Sequence, residues 1–111
     1  APAARRIEHR VAGADANPYL VLAALLGGAL IGLEDQIAPP TPTTGDAYRQ
    51  DLPTIPPDWA SAIACFEDGR YLPRLFSSTL RRMVLDCKRQ EMEVFARRVT
   101  GFEHRTYMET V

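Results

Sequence analysis

Between Tyr19 and Leu33 the chain carries no charged side chain, only aliphatic residues, alanines and glycines behind one tyrosine. Nothing else in the sequence limits the fold so tightly, because a helix that is apolar on every side has no face to offer to water. The run is about 15 residues long, short of the roughly 20 needed to cross a bilayer. Glu34 and Asp35 end it abruptly, so it is expected to be a core helix and not a membrane span. Its start is also encoded. Asn17 can accept hydrogen bonds from the first free backbone N–H groups, and Pro18 occupies the first helical position, where its missing N–H costs nothing. We predict a helix over residues 18–33. Gly27, Gly28 and Gly32 weaken it by up to about 1 kcal/mol each relative to Ala, and would let another backbone approach closely.

Upstream, Arg6-Ile-Glu-His-Arg-Val11 alternates with period two. This predicts a strand over residues 6–11, with Ile7, His9 and Val11 on a packed face and Arg6, Glu8 and Arg10 on a charged one. One strand cannot form a sheet alone, so its partners are expected outside this chain or in another copy of it. The opening Ala1-Pro2-Ala3-Ala4, without an initiator methionine or a signal-peptide pattern, reads as a start in mid-protein.

Downstream, six prolines (Pro39, Pro40, Pro42, Pro53, Pro56, Pro57) and Gly45 predict an ordered loop over residues 38–57. Asp58 then caps a helix over 58–68 that ends at Gly69, with Trp59 as a core anchor sharing one face with Ile63 and Phe66. A short, partly helical link from Tyr71 to Phe76 follows. The longest helix is expected over 78–99, where Leu80, Met83 or Val84, Cys87, Met92, Phe95 and Val99 recur at helical spacing. Thr100 and Glu103 form a capping box that opens a last helix over 101–109. The fold class is therefore mostly α, one N-terminal β-strand plus about four helices in a single segment, 1–111.

Charge excludes some functions. The formal net charge is -1, and Arg81, Arg82, Lys88, Arg89, Arg97 and Arg98 are interleaved with Asp86, Glu91 and Glu93. That pattern is the wet face of a helix, so neither nucleic acid nor a membrane is expected as a partner. Cys65 and Cys87 fit no metal-ligand spacing and read as reduced, partly buried thiols of a cytoplasmic protein. His104 is expected to face solvent.

The one constellation that could carry chemistry is Arg6, Glu8 and Arg10. On a strand, neighbours two apart lie roughly 6–7 Å apart. A carboxylate between two guanidiniums suits a divalent cation with an anionic ligand, the carboxylate binding the metal and the arginines holding phosphate or carboxylate oxygens. It equally suits a solvated charged face on which Glu8 is neutralised by its neighbours. The alternation alone leaves both readings open.

The residues that follow add to this. Arg6-Ile-Glu-His-Arg-Val-Ala-Gly-Ala-Asp-Ala-Asn-Pro-Tyr19, continuing into Leu20-Val-Leu-Ala-Ala24, closely resembles a signature of the glutamine synthetase family. There a strand of pattern R-x-E-x-R runs through a turn into A-N-P-Y and a buried helix. The proline-rich loop, the helix near Trp59, the Lys88–Phe95 stretch and the Val99-Thr100 step resemble the same family's C-terminal region. The resemblance implies a C-terminal fragment of an α+β catalytic domain from a ligase that joins glutamate to ammonia or an amine through γ-glutamyl phosphate. It implies ATP and Mg²⁺ or Mn²⁺ as cofactors and a homo-oligomer as the assembly. By position, Glu8 matches a metal-binding glutamate, Arg6 an arginine near the ATP phosphates, and Arg10 the arginine that contacts the substrate glutamate and the transferred phosphoryl group.

His9 and the Ala-Gly-Ala-Asp run look more like the γ-glutamylpolyamine synthetase-like branch than the ammonia-using enzyme. Tyr48 falls where some bacterial members carry a modifiable tyrosine, but Arg49-Gln-Asp follows it, and it is expected to be a loop-packing residue. Most of the active site would lie outside these residues, so the chain alone is expected to lack ligase activity. Its apolar helix and unpaired strand would make it self-associate. The alternative is a free-standing, non-catalytic helical interaction module derived from such a ligase.

Overall fold

Four capping residues set where the helices begin in the computed structural model, which describes residues 2–4 and 6–108. Asn17 Oδ1 accepts from Tyr19 N at 3.0 Å and Leu20 N at 3.3 Å, opening α1 (Pro18–Glu34). Asp58 accepts from Ser61 N through one oxygen and from the Ser61 hydroxyl through the other, both at 2.8 Å, opening α2 (Trp59–Asp68). A single turn, α3 (Leu72–Leu75), follows. Ser77 Oγ accepts from Leu80 N at 3.2 Å to open α4 (Ser78–Ala96). Thr100 and Glu103 close a reciprocal capping box at the head of α5 (Gly101–Tyr107). Each cap satisfies backbone N–H groups that a helix start leaves without partners.

The chain divides into two units, residues 1–41 and 42–111. In the first, α1 ends in a Schellman motif. Ile37 N donates to Gly32 O at 2.9 Å and Gln36 N to Leu33 O at 3.3 Å, which places Gln36 in the left-handed region at φ 51°. Only Ile31 of α1 is buried; Leu22, Leu26, Leu30 and Leu33 are all exposed, Leu33 to 78%. The core helix expected from sequence is thus formed but uncovered. An all-apolar helix needs neighbours on every side, and the described residues do not surround this one.

The strand expected over 6–11 is not present, and no strand occurs among the described residues; residues 6–10 are irregular. A strand exists only through ladder hydrogen bonds to a partner, and this segment has none. Accordingly the expected packed face is open, with Ile7 79% and Val11 63% exposed.

In the second unit the proline-rich segment is irregular apart from a 3-10 turn, Ala47–Arg49, capped by Asp46. Tyr48 in that turn is fully exposed, which overturns the loop-packing expectation. α2 packs against α4. Ile63 is the buried residue of α2, and with Trp59, Phe66, Val84 and Leu85 it lines a groove of about 220 Å³ between the two helices. The Trp59 and Phe95 rings meet at 6.4 Å and 52°, and Arg89 pairs with Glu67 across the helices. Of the alternatives Met83 and Val84, it is Val84, with Leu85, that lines the groove, while Met83 and Cys87 are exposed. Cys65 is exposed too, so neither thiol is partly buried as expected; both are free. α4 stops at Ala96, short of the expected Val99. Of the last helix expected over 101–109, residue 109 lies outside the described residues.

Candidate functional site

Because residues 6–10 have no backbone partners within the described chain, their side chains are arranged by one another. Arg10 Nε donates to Glu8 Oε1 at 2.6 Å, and an Arg10 terminal nitrogen stands 2.5 Å from the same oxygen. On the other side an Arg6 terminal nitrogen stands 3.6 Å from Glu8 Oε2. The three predicted site residues are thus brought together, one carboxylate with a guanidinium at each oxygen. The side chains of Arg6 and Arg10 are 74% and 85% exposed and that of Glu8 is 47% exposed. Pairs this exposed contribute at most about 1 kcal/mol each, so the cluster does not hold the fold together. Chemically it is one carboxylate held between two planar cations, side-chain types that elsewhere take up hard cations and oxyanions respectively.

Of the two readings the alternation left open, these ion pairs match the solvated charged face on which Glu8 is neutralised by its neighbours. The signal was present in the R-x-E-x-R order, since a central acid flanked by bases two residues away can reach both. His9 adds nothing to the cluster in any contact observed. Among the described residues no group of three or more His, Cys, Asp or Glu side chains is placed to hold a metal, and no helix is long and apolar enough to cross a membrane. The groove beside Ile63 has an apolar lining apart from the Lys88 stem, and contains no group suited to the chemistry suggested by the arginine cluster.

A family model described as the glutamine synthetase catalytic domain matches residues 1–107. The chain belongs to the glutamine synthetase catalytic-domain family. Among curated relatives it is 35% identical over 98 residues to gamma-glutamylputrescine synthetase from Escherichia coli, covering 88% of this chain and 21% of that protein. It is 31% identical over 104 residues to gamma-glutamylethanolamide synthetase from Streptomyces coelicolor, covering 94% of this chain and 22% of that protein. A glutamine synthetase from Methylococcus capsulatus is 36% identical over 105 residues, covering 82% of this chain and 21% of that protein. The chain thus spans about a fifth of the length of these relatives. No solved structure matches it.

Proposed function

We propose that this chain works as the C-terminal section of an ATP-dependent glutamate–amine ligase, with Glu8 as a metal ligand, Arg6 at the nucleotide phosphates and Arg10 at the glutamate and the transferred phosphoryl group. The observation that carries the reading is the Arg6–Glu8–Arg10 cluster inside a chain that the family model matches almost end to end. In the proposed reaction the γ-carboxylate of glutamate attacks the γ-phosphorus of ATP, releasing ADP and forming γ-glutamyl phosphate. The amine nitrogen then attacks the acyl carbon and expels phosphate. Such phosphoryl transfer depends on positioning and on neutralising charge at the phosphoryl oxygens, which is what two guanidiniums supply.

The residues present suit the implied cation in kind. Mg²⁺ and Mn²⁺ favour carboxylate oxygens, and the half-exposed Glu8 offers two. Glu8 would be one ligand of a set whose other members come from elsewhere in the protein. Glu8 would hold the metal, whose charge would help neutralise the nucleotide phosphates, while Arg6 and Arg10 would orient the anionic groups. An alkylamine or polyamine is the favoured nucleophile, because relatives named for putrescine, ethanolamide and isopropylamine products or substrates match this chain. We place the ligase in the cytoplasm as a homo-oligomer.

The test is ligation by the full-length protein with glutamate, ATP and a panel of amines. Glu8→Ala is expected to abolish ATP-dependent ligation, and the 111-residue chain is expected to show no glutamate-dependent ATP turnover. An unimpaired Glu8→Ala enzyme would remove Glu8 from the metal site.

A further inference from the structure

We draw no further inference here: the strongest candidate, the open apolar groove between α2 and α4 lined by Trp59, Ile63, Phe66, Val84 and Leu85, is an unpartnered face, and nothing in the structure shows what covers it.

Discussion

Ile63→Ala should be the most damaging single truncation in the second unit. Ile63 is 8% exposed, and on α4 it faces Val84 and Leu85 across the shared groove. The change removes about three buried carbons, or roughly 2.4 kcal/mol at about 0.8 kcal/mol each. A cavity term normally adds to this. Here the groove is already open, with about 220 Å³ between the helices, so its walls can close on the smaller side chain. The expected loss is therefore about 2–3 kcal/mol, near the low end for Ile→Ala. For a unit of this size that lowers Tm by about 10–20 °C. The assay is thermal and urea unfolding followed by helical circular dichroism. Met83→Ala serves as the comparison, because Met83 lies on the same α4 but is exposed, and should cost no more than about 0.5 kcal/mol. If the two variants melt within a couple of degrees of each other, the α2–α4 contact is not what holds this unit.

Gln36→Gly should raise stability by about 0.5–1 kcal/mol, read as an increase in Tm, because Gln36 sits at φ 51° in a position that penalises any side chain with a Cβ. Gly69→Ala should lower Tm by the equivalent of about 1–2 kcal/mol, since a Cβ there would lie 2.7 Å from Leu72 Cδ1 and 3.0 Å from the Cys65 carbonyl oxygen. Acid should unwind helix starts. Glu103 is held below its ordinary value of 4.5 by the Thr100 backbone N–H and then the Thr100 hydroxyl, and Asp58 below 3.8 by the Ser61 backbone N–H and then its hydroxyl. Both folded-state values are lowered, so the stabilisation is full above those ordinary values and is lost as pH falls through the lowered ones. Helical signal should fall below about pH 4, and Glu103→Gln should remove part of that pH dependence. Leu26→Glu should reduce concentration-dependent self-association in sedimentation, because Leu26 is 67% exposed on the apolar surface of α1.

The helix starts were legible because capping is local chemistry. Asn17-Pro18, Asp58 and the Thr100…Glu103 pair each place an acceptor within three residues of the N–H groups it serves, and no distant residue is needed to make that contact. The helix ends were less legible. α4 ends at Ala96, although apolar spacing continues to Val99, because periodicity records which face could be buried and not where backbone bonding stops. Gly69 ends α2 as expected, at φ -59°, and a Cβ there would meet Leu72 and the Cys65 carbonyl.

What the sequence could call for but not supply was a second surface. The alternation over residues 6–11 and the apolar circumference of α1 are both statements about partners: a strand needs a ladder, and a helix without a polar face needs neighbours all round. The described residues meet neither need, and the two failures have opposite chemical consequences. On α1 the uncovered side chains are apolar, so exposure is unfavourable and promotes association. Over residues 6–10 the unpaired segment is charged, and the deficit is made good locally, Glu8 drawing Arg6 and Arg10 to itself. The same local neutralisation that lets the segment stand in water occupies the groups it would need for phosphate.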